Sequence, residues 1–297
     1  MLLRITLFAL LGILIQFVFK TLLIMDINKR VYNHRPGECR IIEGPEQGSE
    51  DFEVIEERQI AFISSGVVYL PHSPSDVTWK GEIYLYDLSK RTFQAESIPI
   101  LNLEDVEGFY PHGLSHWILK DGTIRLFVVV HSKTFKHSVV ILDYNEKRKE
   151  FNHVKTIYNE KFVRPNDIIS TGENSFLVSN DGGAQTELGN IWEILSGFYR
   201  GGIVYFDGEG CHPVTKDAVA HLGNRSNPSL YAPSQVLRIT FSNDFQSAEI
   251  VEILADDGRL VCASTIAFPF DEDKQILIGT VGRSPVHCDV QVPELFH

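Results

Sequence analysis

Three pairs of neighbouring oxygen-bearing side chains stand out in this sequence: Glu50-Asp51, Asn166-Asp167 and Asn180-Asp181. Each lies at the edge of a predicted strand or in a turn. In extended backbone, successive side chains point to opposite faces. One pair can therefore offer one oxygen ligand to each of two nearby cations. Calcium takes roughly six to eight oxygens from carboxylates, amides and backbone carbonyls, which is this inventory. The plainer reading is that Asn and Asp cap turns by satisfying local backbone groups, and spacing alone favours it.

Two histidines accompany the pairs. His112 stands in Phe109-Tyr110-Pro111-His112-Gly113-Leu114, a turn entering a strand, and His131 ends the strand Phe127-Val128-Val129-Val130-His131. Beside apolar sequence, a buried core histidine is the usual explanation. A general base is the sharper one, because imidazole titrates near neutral pH. The sequence has no Gly-x-Ser-x-Gly elbow, no His-Glu-x-x-His zinc motif, no Walker loop and no dinucleotide fingerprint. If the chain hydrolyses anything, metal-assisted water chemistry fits best.

The elements that must position these residues are strands. After about residue 50, apolar or alternating runs are separated by Gly, Asp, Asn and Pro. They include Ile60 to Ser64, Glu82 to Asp87, Leu126 to His131, Val139 to Asp143, Phe176 to Ser179, Ile203 to Asp207, Gln235 to Phe241 and Gln275 to Thr280. Thr186 to Tyr199 is open to either a short helix or a loop. A weak repeat of turn, strand and second strand begins at Asp121-Gly122 and again at Gly172-Glu173-Asn174, 51 residues later. That length suits a four-stranded propeller blade. A third turn follows at Asp271, 99 residues on, so one unit is expected near residue 220, where no turn is legible.

Charge and termini bound the setting. Thirty-nine acidic against 27 basic residues give a net charge of −12, and no Lys/Arg cluster suggests a nucleic-acid partner. Ile5 to Phe19 is almost unbroken apolar sequence, extended by Thr21 to Met25 past Lys20, with Arg4 before it. It is long enough to cross a bilayer and no small-residue cleavage site follows, so positions 1–25 read as a retained signal anchor. Lys20, Lys29, Arg30 and Arg35 after the segment would, by charge alone, hold the body in the cytoplasm. A bridge between Cys39 and Cys288 would tie the chain ends in an oxidising compartment, while four buried thiols (with Cys211 and Cys262) is the bland alternative. Asn224-Arg225-Ser226 is a glycosylation sequon.

Several segments together carry a family resemblance. Cys39-Arg40-Ile41-Ile42, Gly48-Ser49-Glu50-Asp51 and Ile60-Ala61-Phe62-Ile63-Ser64-Ser65-Gly66 resemble the opening of the paraoxonase/arylesterase family. Pro111-His112-Gly113-Leu114-Ser115 is similar to its histidine motif, and Pro165-Asn166-Asp167-Ile168 to its calcium-binding Asn-Asp. Ser179-Asn180-Asp181, Gln235 to Ile239, Ser264 to Ala267 and Leu277 to Val281 follow in the same order.

The resemblance implies an all-β fold, a six-bladed propeller with two calcium ions in its channel, over positions 26–297. It implies that Glu50 and Asn166 ligate a catalytic calcium, and that Asp51, Asp167 and the Leu114 carbonyl hold a structural one. His112 would be the general base, with His131 its partner. Cys39 and Cys288 would be bonded, the N-terminal helix retained at a membrane or lipid surface, and the body lumenal or extracellular, which decides the orientation that charge left in conflict. The location would be the endoplasmic reticulum, the plasma membrane or the exterior. The expected activity is hydrolysis of aromatic esters or lactones. The chain departs from the family near 216–221, where about one blade is missing together with an Asn strand and an Asp-Asn pair that complete the catalytic calcium site. That departure leaves a second reading: a non-enzymatic relative that assists assembly of other membrane proteins.

Overall fold

The computed structural model describes residues 2–24, 30–67, 79–104, 108–132, 136–196, 200–215, 231–242 and 247–291. Helix α1 (Leu2–Ile24) has a mean hydropathy of 2.1 over Arg4–Leu23, and is long and apolar enough to cross a membrane. Strand β1 (Cys39–Ile41) follows. Then come β2 (Phe52–Ile55), β3 (Ile60–Ser65), β4 (Glu82–Asp87) and β5 (Ala95–Ser97), an antiparallel sheet in chain order. The next sheet holds β6 (Ile100–Leu101), β7 (Tyr110–Ile118), β8 (Ile124–His131), β9 (Ser138–Asn145) and β10 (Glu150–Tyr158), in the order β6-β10-β9-β8-β7. A third holds β11 (Pro165–Gly172), β12 (Ser175–Asn180), β13 (Gly202–Phe206) and β14 (Cys211–Pro213), with α2 (Glu187–Ser196) between β12 and β13. A hairpin follows, β15 (Ser234–Phe241) with β16 (Ala248–Asp256), and then β17 (Ser264–Phe270), β18 (Gln275–Thr280) and β19 (Val286–Asp289).

This is a β-propeller. Each four-stranded sheet begins with a strand nearest the axis, and β7 packs against both β2 and β11. The last sheet takes its outer strand from the other end of the chain: β1 pairs with β19, placing Cys39 opposite Cys288. Those two cysteines form the disulfide. The bond closes the ring covalently where the hydrogen bonds of β1 already close it.

Blades pack face to face through alternating apolar side chains. Phe62, Ile83, Leu126, Val128, Leu142 and Phe151 fill the space between the first and second sheets, and Phe127, Ile141, Phe176 and Val204 that between the second and third. Strand β8 is buried along its whole length because both of its faces meet a neighbouring blade.

Among the described residues, the fourth sheet is a hairpin only. The chain runs from β16 into the axial strand β17 within positions 257–263, the same short step that links the outer strand β10 to the axial strand β11 through 159–164. The hairpin therefore holds the outer half of its blade. Along it, Leu237, Ile239, Phe241 and Ile250 are 42%, 49%, 58% and 62% exposed. Ile239 lies opposite Ile250, so these side chains share one sheet face. The unit expected near residue 220, the gap at 216–221 and the Asn224 sequon lie outside the described residues. At the open end of the β15–β16 hairpin, Ser242 and Ser247 exchange hydrogen bonds. Thr186 to Tyr199, open in the sequence, contains helix α2.

Candidate active site

The site residues come from β7, β8 and β11 and from the chain just ahead of β2, and on β7 and β11 they stand in bulges. The ladder between β7 and β8 shifts between Pro111 and Leu114, which lifts His112 and Gly113 out of register. The ladder between β11 and β12 shifts between Pro165 and Ile168, which does the same for Asn166 and Asp167. Strand β17 shifts between Ser264 and Ala267, freeing Thr265. A bulge inserts residues without partners and re-aims side chains. For Asn166 and Asp167, simple strand alternation is thus only part of why the pair spreads its oxygens; the bulge supplies the rest.

Close approach then brings the strands together. A Cβ on Gly113 would sit 2.6 Å from the Asn166 carbonyl oxygen and 2.9 Å from Asp167 Oδ1, so only glycine lets β7 lie this near β11. Glu50 and Asp51, just ahead of β2, reach into the same place. Asp51 Oδ2 accepts the Leu114 N–H at 2.6 Å, and its Oδ1 accepts the Phe52 N–H. The Glu50 carbonyl accepts from the Thr265 hydroxyl at 2.5 Å, tying β17 to the site.

Glu50 and Asp51 serve different partners, as expected of neighbours. Glu50 Oε2 lies 2.8 Å from His112 Nδ1, with both side chains buried or nearly so. Burial alone would depress the His112 pKa, but the Glu50 charge and hydrogen bond carry it above the usual imidazole value. The His131 ring centroid is 4.6 Å from that of His112. His131 Nε2–H donates to the Pro165 carbonyl at 2.6 Å, which fixes the tautomer.

Burial, and then the Asp167 and Glu50 charges, push the Asp51 carboxyl well above the ordinary carboxylate range. Asp167 is likewise raised, chiefly by burial. Two repelling carboxylates beside the Leu114 backbone are the hard-oxygen set that a divalent cation relieves, so Asp51 and Asp167 fit a calcium ion in kind. Among the described residues, Glu50 and Asn166 alone offer fewer donors than the roughly six to eight oxygens of a second site, and Glu50 also engages His112. Among the described residues, no three His, Cys, Asp or Glu side chains converge as a metal cluster.

The third pair does structural work, as the turn-capping reading has it. Asn180 Oδ1 accepts the Arg164 N–H, its amide donates to the Lys161 carbonyl, and Asp181 Oδ1 meets Arg164 Nε at 2.9 Å. Arg164 also donates to Asn190 of α2 at 2.6 Å. Cys211 and Cys262 are buried and lie outside any disulfide. Two further features escaped the sequence reading. His116 Nδ1 lies 2.6 Å from Glu53 Oε1, and His137 stacks on His131 at 4.8 Å. The positions of His131 and His137 at the two ends of a hairpin were the available signal.

Comparison with known proteins shows the family. Serum paraoxonase/arylesterase 2 of Gallus gallus is 37% identical over 143 residues, 48% of this chain and 40% of that protein. Serum paraoxonase/lactonase 3 of Oryctolagus cuniculus is 36% identical over 148 residues, 49% of this chain and 41% of its own. The Homo sapiens serum paraoxonase/lactonase 3 is 33% identical over 173 residues, 58% of this chain and 48% of that protein. The matches thus span about half the length of these relatives. The sequence model of the Arylesterase family matches residues 30–214 and 208–290, two stretches that overlap at 208–214. The chain belongs to the Arylesterase family.

Proposed function

We propose that this chain hydrolyses small aromatic esters or lactones, with His112 as the base that activates water. The observation carrying this reading is the Glu50–His112 pair at 2.8 Å, buried where three axial strands converge. With Nδ1 paired to the Glu50 carboxylate at 2.8 Å, His112 offers Nε2 as the basic nitrogen. The proton of the attacking water passes to Nε2 as the water oxygen bonds to the carbonyl carbon. Breakage of the ester C–O bond then returns that proton to the departing alkoxide, releasing an acid and an alcohol. Glu50 stabilises the imidazolium between these steps, and His131 backs the ring. A calcium ion held by Asp51 and Asp167 would supply charge neutralisation between β2 and β11, a structural contribution.

The body is proposed to lie on the lumenal or extracellular side, with α1 as the anchor. The Cys39–Cys288 bond supports an oxidising compartment. Resistance of the body to protease in sealed microsomes checks this, and ready digestion contradicts it.

The test of function is hydrolysis of phenyl acetate and of a simple lactone by the full chain in detergent. Turnover above the uncatalysed rate supports the enzyme. A folded chain without turnover would move the reading to the non-enzymatic role in assembling membrane proteins, which the incomplete Glu50–Asn166 set favours.

A further inference from the structure

The imidazoles of His112, His131 and His137 form a row across the second blade. They lie on three adjacent strands or their ends: β7, β8 and the start of β9. The registers set the row. Tyr110 is opposite His131 in one ladder, and Val130 is opposite Ser138 in the next, which puts His137 one rung on, across from His131. Centroids are 4.6 Å apart for the first pair and 4.8 Å for the second, with rings inclined by 40° and 53°. All three are buried, at 0%, 5% and 4% exposure. His137 ends the row at the wall of a cleft of about 1030 Å³ that Ser132, Lys136 and His153 also line. His131 is therefore held on one side by the ring that faces Glu50 and on the other by a ring that the hydrolytic steps do not use.

We propose that His137 is a positioning residue: its ring fixes the plane of His131, and through it the plane of His112. A ring sandwiched between two others has one orientation that packs without voids. The His131 Nε2–H bond to the Pro165 carbonyl selects that orientation. Removing His137 opens space on the cleft side, and His131 loses the wall that keeps the bond aligned. An uncharged ring suits this task. Burial, with the His112 and Arg164 charges acting in the same direction, lowers the His137 pKa to about 4. It thus adds no second positive charge when His112 takes a proton.

The experiment compares His137→Ala and His137→Phe in the full chain, with two readouts. The kinetic readout rests on the proposed ester hydrolysis; the spectroscopic one does not. In kinetics, His137→Ala lowers kcat about tenfold with KM unchanged, and His137→Phe, which keeps a flat ring, recovers most of the loss. In proton–nitrogen NMR of the histidine rings, the slowly exchanging His131 Nε2 proton is present in the unsubstituted chain and in His137→Phe, and absent in His137→Ala. Thermal melting shows that each variant is folded. A persistent His131 resonance in His137→Ala overturns the proposal, as does equal kcat in all three chains. If the unsubstituted chain turns over no ester while the resonance still depends on position 137, the positioning role stands and the hydrolytic reading falls.

Discussion

Glu50 and His112, on different blades, meet at 2.8 Å, while Asp51, the next residue, turns away to accept the Leu114 N–H at 2.6 Å. One dipeptide thus joins an imidazole to a carboxylate and a strand to its neighbour. The Glu50–His112 pair lies beside a second, repelling carboxylate pair, Asp51 and Asp167.

Calcium should act on stability. At a free concentration a hundredfold above Kd, binding to the folded state alone adds about 2.7 kcal/mol. We expect a higher Tm with calcium than with a chelator, and loss of that difference in Asp167→Asn. The amide keeps an oxygen for the Ile168 N–H that Asp167 Oδ1 now accepts. Without calcium, this variant should melt no lower than the unsubstituted chain, because it removes a repulsive charge. Equilibrium dialysis should give one tight calcium per chain; two tight sites would contradict the donor count.

The Cys39–Cys288 bond closes a loop across a separation of 249 residues. On the chain-entropy model such a bond stabilises by at most about 5 kcal/mol. Urea unfolding of Cys39→Ser with Cys288→Ser should show a lower midpoint. An unchanged midpoint would mean that the β1–β19 pairing alone closes the ring.

His287 gives a stability effect of fixed sign. Its Nδ1 accepts from the Tyr86 hydroxyl at 2.7 Å, and its Nε2–H donates to Gln275 at 2.7 Å, so the neutral ring is fully used. Burial, reinforced by Arg91, lowers its pKa to about 4. Between about pH 6.5 and 4 the unfolded chain binds the extra proton, so this contribution is complete above 6.5 and is lost as pH falls. The slope of unfolding free energy against pH in that window should drop by about one proton in His287→Asn. An identical slope would contradict the assignment.

The exposed face of β15 and β16 should make the chain self-associate, because contiguous apolar sheet surface is adhesive. Ile239→Lys with Phe241→Lys is expected to reduce light scattering while leaving Tm nearly unchanged. A large fall in Tm would show that the face is covered in the folded protein.

Much of the fold was legible in the sequence. Glu82 to Asp87 and Gln275 to Thr280 coincide with β4 and β18, because alternation and turn residues bound both. Strand β16 is not legible as an alternating run: in Ala248–Asp256, Glu249 and Glu252 interrupt the apolar pattern in the exposed first half, and Ile253 to Asp256 are buried without alternation. The pairs at 50–51 and 166–167 are legible, but the bulge at 166–167 is not, since a ladder shift depends on the partner strand. The same limit hid His137. Its meeting with His131 is set by the pairing of β8 with β9, which no local pattern displays.

The account turns on His112 as the base. The most direct measurement is the initial rate of phenyl acetate hydrolysis by the full chain against His112→Gln, at matched folded concentration. General-base catalysis contributes roughly 10²–10⁴-fold, so the account predicts a loss of that order with Tm nearly retained. Equal rates in the two chains would contradict it.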